Sequence, residues 1–338
     1  MLAARSTSLL PEGYGAIDTV SDEVVVDGIV LHRVGVSSVA PTGETVTGAA
    51  AAPLESPADR ATFELLERAS TLHAIADLRD RPLLSLRGDV VSRISAAELF
   101  PESPEPLRFR HARSNGVALH RSFRRAALRA RWELAERDRV LRSWCGESAP
   151  RRLVVDREAC ALGPSVRYDW QAYHFGRAPF APEADVIGVI GFPLHPGEPL
   201  ALGFAARPGE APAFAAALGE ALQSLSFLWG EPLPEQEPPL GPSPMHHLER
   251  YQYPPNHALL RAWLAGAHVS AREPHAPHAP HAPHAEVRFV SLTPPWLPPG
   301  LFVVKATCGA AMPLTFGEGP HLTPHLATNT RVAAHPNA

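Results

Sequence analysis

The chain has 338 residues and is 45% apolar, enough for one large domain or two small ones with a sizeable core. With 31 basic against 35 acidic residues its formal charge is -4, which excludes a bulk electrostatic footprint for nucleic acid or an anionic membrane. Peptides, proteins or small molecules are the partners this leaves.

The three cysteines, Cys145, Cys160 and Cys308, are far apart and form no Cys-x-x-Cys pair, so reduced thiols of a cytoplasmic protein are expected. The N-terminus MLAARSTSLLPEGYG lacks the apolar core of a signal peptide, and no stretch approaches the roughly 18 apolar residues of a membrane span. Residues 1–22 read as an extension. EVVVDGIVLHRVGVSSVA, residues 23–40, is rich in Val and Ile and broken by glycines, which predicts one or two strands. SPADRATFELLERASTLHAIADLRD then predicts a helix, with Ser56 as cap, Pro57 in the first turn, and Phe63, Leu66 and Ala69 or Leu72 at helical spacing.

A second helix begins behind a Ser114-Asn115-Gly116 turn and Ser122. RRLVVD and DVIGVIGFPL predict strands, and EAPAFAAALGEALQSLSFLWG an Ala-rich helix of about 18 residues. The Pro-dense segment 230–256, opening GEPLPEQEPPLGPSPMHH, is expected to be extended or lid-like and without regular structure. PNHALLRAWLAG returns to helix, and EVRFVSL and GLFVVKATC predict two late strands. Strands and helices mix without clean alternation, which favours a single α/β or α+β domain over a doubly wound fold.

Several histidines and cysteines invite a functional reading. PHAPHAPHAPHA, within the low-complexity loop 273–285, sets His275, His278, His281 and His284 at a three-residue period that would align them on a polyproline II helix. A metal tether is one reading, and a repetitive surface loop the favoured one. His246 and His247, with His257, read as polar surface, and Pro324 between His321 and His325 argues against helical zinc geometry. Cys308 reads as a buried small hydrophobe, and Trp132 and Trp144 as core or rim aromatics.

The helix after Ser122 poses the sharper question. Phe123, Ala126, Ala127, Ala130 and Leu134 form its apolar stripe. Arg137 lies about 40° and Glu133 about 80° from the stripe centre, with Glu136 about 140° away. Taken alone, these charges read as Glu to Arg contacts of a few tenths of a kcal/mol on a solvated flank. The first helix repeats the device, however: ELLER, with Glu64, Glu67 and Arg68, matches ELAER, with Glu133, Glu136 and Arg137. If the two helices pack side by side, four carboxylates converge, and Mg²⁺ with nucleotide phosphates would relieve their repulsion. The Ser114-Asn115-Gly116 turn would add hydroxyl, amide and backbone donors near an anion. There is no Gly-x-x-x-x-Gly-Lys-Ser/Thr loop and no Gly-x-Gly-x-x-Gly fingerprint to compete with this reading.

On SPADRATFELLER, SNGVALHRSFRRAALRARWELAERD, GEALQS and VSLTPPWLPPGLFVVKATCGAAMPLTFG, the chain resembles the YcaO-domain family of ATP-dependent enzymes that activate backbone amides of ribosomally made peptides. The resemblance implies one YcaO-like domain over residues 23–320, with mixed sheets and paired helices around a nucleotide cleft, and a tail over 321–338. It implies that Glu64, Glu67, Glu133 and Glu136 hold Mg²⁺, and that Arg68, Ser114, Asn115, Arg137, Glu220 and Gln223 line the ATP site. No catalytic side chain is assigned. The implied reaction is cyclodehydration of Cys, Ser or Thr to azolines: the side chain attacks the preceding carbonyl, ATP phosphorylates the resulting oxygen, and elimination closes the ring. The implied partners are a ribosomally made precursor peptide and a separate leader-peptide-binding protein, and a homodimer is compatible with the same reading. The chain departs from the family pattern at Arg60, where Ser is usual, at Leu225, where Arg is usual, and in a tail with only His335-Pro336 in place of alternating prolines. A degenerate binding protein, or a thioamide- or amidine-forming member, is the alternative.

Overall fold

A computed structural model describes residues 9–53, 55–154, 167–266, 286–318 and 335–336. The histidine repeat, His321, His325 and Cys160 lie outside them. In chain order the first elements are β1 (Asp18–Val26), β2 (Ile29–Val39), β3 (Thr45–Ala52), α1 (Ala58–Ala76), β4 (Arg81–Leu84) and β5 (Val90–Ile94). Then come α2 (Ala96–Leu99), β6 (Phe109–His111), β7 (Val117–His120), α3 (Phe123–Trp144), β8 (Arg151–Leu153) and β9 (Tyr168–Gly176). The last are β10 (Ala184–Pro193), β11 (Ala201–Pro208), α4 (Glu210–Leu228), α5 (Pro244–Gln252), α6 (His257–Leu264), β12 (Arg288–Ser291), β13 (Phe302–Thr307) and β14 (Thr315–Gly317). Every strand pair among the described residues is antiparallel, so the sheets are not mixed in direction and the fold lies at the α+β end of the expectation.

The chain divides into two compact units. The first comprises Met1–Pro101, Arg113–Arg131 and Val287–Thr307. Its β1–β2 hairpin turns on Asp27 and Gly28, at φ 50° and 81°, the positive angles a two-residue primed turn requires. With β3 these strands form a three-stranded sheet, and α1 packs on it. Contact is closest at Gly48, where a Cβ would stand 2.0 Å from the Ala61 carbonyl oxygen, so only glycine fits. Leu65 of α1 is fully buried against Val34, Val36 and Val46, and Leu66 packs with Val117, Val290 and Val303, each leucine contributing roughly 1.5–3 kcal/mol. A five-stranded sheet in the order β5-β4-β12-β13-β7 completes the unit.

The α1 start corrects one expectation. Pro57, not Ser56, is the capping residue, and no side chain caps the helix. The ring presets φ at -85°, so the chain enters the helix at Pro57, whose carbonyl accepts from the Arg60 and Ala61 amides. Ser56 lies one residue too far out to reach the free amides.

The second unit comprises Glu102–Ala112, Trp132–Glu286 and Cys308–Ala338. Its main sheet runs β11-β10-β9-β8, and β14 and β6 form a separate two-stranded sheet. α4 packs on β11 at Gly203, where a Cβ would meet the Ala217 carbonyl oxygen at 2.1 Å. Gly188 makes room for the rings of Phe175 and Phe204, and Phe175 stacks on Trp263, which meets Trp144 edge-on at 5.1 Å. Trp144 is therefore core, while half-buried Trp132 donates its indole N–H to Glu183 at 2.9 Å.

Two further expectations are corrected in this unit. The Pro-dense stretch is not wholly irregular, because α5 and a 3-10 turn at Pro254–Asn256 lie inside 230–256. Ser243 caps α5 and Pro244 occupies its first turn, where the missing N–H costs nothing. His247 is not polar surface but fully buried. Its Nε2 accepts from the Gly317 amide at 2.9 Å, its Nδ1 lies 3.2 Å from the His335 carbonyl oxygen, and burial pushes its pKa down to about 4. Among the described residues no helix is long and apolar enough to cross a membrane.

Candidate functional site

In the first unit, α1 presents Glu64, Glu67 and Arg68 along one side at i, i+3 and i+4. Glu64 accepts from the Ala49 amide at 2.8 Å through one oxygen and pairs with Arg68 at 2.5 Å through the other. Arg68 also donates to the hydroxyl and carbonyl of Thr47, at 2.8 and 3.1 Å. Glu67 accepts from the Leu119 amide at 2.6 Å. Burial pushes its carboxyl up to about 7, against that amide, and the Glu64 charge pushes the same way.

The Ser114-Asn115-Gly116 turn belongs to this unit. Ser114 O accepts from the Val117 amide at 3.1 Å, and Gly116 takes the positive φ of 69° that closes the turn. Ser114 is exposed, and the Asn115 side-chain oxygen is buried with no hydrogen-bond partner. Lys305 of β13 donates to the Asn115 and Arg113 carbonyls at 2.6 and 3.2 Å.

In the second unit, the end of α3 from Trp132 on and α4 supply the rest, while the start of α3 up to Arg131 belongs to the first unit. The predicted α3 stripe is buried at Ala126, Ala127, Ala130 and Leu134, with Phe123 half-buried. Glu136 departs from the helical-wheel expectation. It is only 4% exposed, because the C-terminal half of α3 is also buried at Ala135, Asp138 and Val140, well outside the single stripe assumed. Its carboxyl is raised by burial, against Arg137, Arg207 and the Ala206 amide. Arg137 lies 3.5 Å from Glu136, and its Nε is buried without a hydrogen bond. Burial would lower the guanidinium pKa, but the charges of Glu136, Glu133 and Glu220 outweigh it and hold the pKa above its ordinary value. Glu220 reaches solvent from α4, yet enough protein surrounds it that lost hydration, then Glu136, push its carboxyl up to about 8. Gln223, one turn on, is half-buried.

Each unit thus gathers its own share of the predicted residues: Glu64, Glu67, Arg68, Ser114 and Asn115 in one, and Glu133, Glu136, Arg137, Glu220 and Gln223 in the other. Among the described residues no group of three or more His, Cys, Asp or Glu is arranged so that it could by itself hold a metal ion. The carboxylate oxygens of each unit are hard donors, which suit Mg²⁺ carrying waters and phosphates rather than zinc. In the second unit the charges of Glu133, Glu136 and Glu220 act on Arg137, Arg207 acts on Glu136 and Glu220, and the raised carboxyls of Glu136 and Glu220 are those of an under-neutralised cluster that a divalent cation would relieve.

Sequence reasoning missed Arg207, near the end of β11, and Lys305, within β13, single charges in apolar strands with no pattern to mark them. Of the two departures noted, Leu225 is fully buried and Arg60 is exposed on the first turn of α1. Cys145 and Cys308 are half-buried and in no disulfide among the described residues, and burial pushes both thiols up, Cys145 to about 11, so neither is an activated nucleophile.

Solved structures share this fold. A YcaO from Methanopyrus kandleri bound with AMPPCP and Mg²⁺ aligns with a TM-score of 0.59 at 15% identity over 88% of this chain and 86% of that one. The E. coli microcin synthetase McbBCD complex aligns at 0.56 and 11% identity, over 87% and 88% of the two chains. A heterocyclase in complex with substrate and cofactor aligns at 0.57 and 16% identity over 90% of this chain, which spans only 51% of that protein. No curated protein sequence matches. Residues 94–308 match the family described as YcaO cyclodehydratase, ATP- and Mg²⁺-binding, a range that takes in β7, α3 and α4 but begins after α1. On that match, which covers well over half of its length, the chain belongs to the YcaO family.

Proposed function

We propose that this protein uses Mg²⁺ and ATP to activate backbone amides of a ribosomally made precursor peptide, with cyclodehydration of Cys, Ser or Thr to azolines as the reaction. The observation that carries this reading is the charge cluster of the second unit, where Glu133, Glu136 and Glu220 surround Arg137 with two carboxyls raised. Bound ATP supplies a transferable phosphoryl group that turns the amide oxygen into a leaving group, and Mg²⁺ neutralises the charge on its phosphates.

The side chains do the positioning. Glu64 and Glu67, latched to the Ala49 and Leu119 amides, would enter the site with their orientation already fixed. Arg137 and Arg207 would balance charge as phosphates approach, and Ser114 and Asn115 would donate to them. The fold shared with the substrate-bound heterocyclase and with the multi-protein microcin synthetase supports a peptide substrate and a separate partner that delivers it. We take the YcaO-like domain to span residues 23–320.

Calorimetric titration of Mg²⁺ and ATP into the protein, beside a Glu133→Gln, Glu136→Gln double variant, tests the reading. Saturable, Mg²⁺-dependent binding that the variant loses is the expected result. Wild-type binding no tighter than about 1 mM, about 4 kcal/mol, would contradict it.

A further inference from the structure

The chain contains 30 arginines and a single lysine, Lys305, in the middle of the apolar strand β13. A lone lysine is an odd choice for that place. Its side chain is 6% exposed, and burying an ammonium is costly unless its donors are satisfied. They are turned onto one object: Nζ donates to the Asn115 carbonyl at 2.6 Å and the Arg113 carbonyl at 3.2 Å, while the Phe100 ring lies 5.5 Å away on another side. The next residue of β13 continues the pattern, because the Ala306 amide donates to Gly116 O at 2.7 Å. Ser114 O is taken by Val117 within the turn.

Four successive carbonyls, from Arg113 to Gly116, are therefore tied down, three of them by Lys305 and Ala306. A turn whose acceptors are all engaged behind it offers an anion donors rather than repelling oxygens. The Asn115 side-chain oxygen in the same turn is buried without a hydrogen-bond partner, and as an acceptor it would be satisfied by a donor or a cation rather than by phosphate.

We propose that Lys305 is a positioning residue for the nucleotide, drawing back the Arg113 and Asn115 carbonyls so that the Ser114-Asn115-Gly116 turn presents its donors to phosphate. This rests on the reading of that turn as part of the ATP site. The test is calorimetry with Mg²⁺ and ATP on wild type, Lys305→Met, Lys305→Arg and Asn115→Ala, each with its folded fraction checked by circular dichroism. Lys305→Met is expected to bind at least about tenfold more weakly, and Lys305→Arg, which can offer two N–H groups to the same carbonyls, to recover most of the loss. A lower melting temperature with unchanged affinity in Lys305→Met would make the residue merely structural and overturn the proposal.

If wild type does not bind, or Asn115→Ala binds as well as wild type, the reading of the turn fails and Lys305 falls with it. If Asn115→Ala loses affinity and Lys305→Met does not, only the role of Lys305 fails. Should Lys305→Met not fold, isotope-labelled lysine gives the wild-type protein a single lysine spin system. Its side-chain resonances are expected to shift as Mg²⁺ and ATP saturate the site, and their failure to move would overturn the proposal.

Discussion

Two stretches of the chain are built alike, β1-β2-β3-α1 in the first unit and β9-β10-β11-α4 in the second, and they hold their acidic side chains by different means. Each is an antiparallel sheet whose last strand carries a glycine under a 19-residue helix. The would-be Cβ of Gly48 meets Ala61 O and Leu65 N at 2.0 and 2.6 Å, and that of Gly203 meets Ala217 O and Ala221 N at 2.1 and 2.3 Å. One constant offset aligns both contacts, and it sets Glu64 against Glu220 and Glu67 against Gln223. In the first unit the carboxylates are fixed by backbone amides, at Ala49 and Leu119. In the second they are balanced by Arg137 and Arg207. Amides fix direction, whereas guanidiniums tune charge, so the carboxylates of the first unit are held rigidly and those of the second respond to the charge around them.

The comparison breaks most visibly at its glycines. Gly48→Ala and Gly203→Ala each force a methyl into helix backbone that cannot yield, so each is expected to cost more than about 3 kcal/mol in urea unfolding, or to prevent folding. Near-wild-type stability in either would mean that the helix does not lie so close.

A smaller effect separates the two ways of holding a carboxylate. Glu67 is raised from the ordinary 4.5 to about 7, so it favours the folded state most below pH 4.5, and that contribution is lost as the pH rises through 7. Glu67→Gln keeps an oxygen for the Leu119 amide and removes the charge. It should melt roughly 1–3 °C above wild type at pH 8, and with no difference at pH 4. Melting curves that separate at pH 4 instead would reverse the assigned sign. Smallest of all, Gly219 on α4 has open space where its Cβ would go, so Gly219→Ala should stabilise by about 0.5–1 kcal/mol in the same unfolding assay that condemns Gly203→Ala.

The same construction explains which elements could be read from the sequence. α1, α4 and α6 carried helical spacing and were legible, as were the Val-rich strands β2, β10 and β13. β3, TVTGAAAA, and β11, ALGFAARP, gave no strand signal, because a helix packed at backbone distance leaves room only for Ala and Gly where β-branched residues would have marked a strand. Glu64, Glu67, Glu133 and Arg137 were singled out through the repeated Glu-x-x-Glu-Arg device, and Glu220 and Gln223 only through family resemblance. The burial of Glu136 was missed because a wheel with one apolar stripe cannot show that the end of a helix is enclosed on several sides. His247 was missed because the groups that bury it, at Gly317 and His335, are 70 and 88 residues away.

The most direct measurement is the Mg²⁺-dependent affinity for ATP of two variants compared with wild type, one changed in each half: Glu64→Gln with Glu67→Gln, and Glu220→Gln alone. Both variants are expected to remain folded and to lose at least about tenfold in affinity. Wild-type affinity in either one would contradict a nucleotide-binding role for the carboxylates it changes.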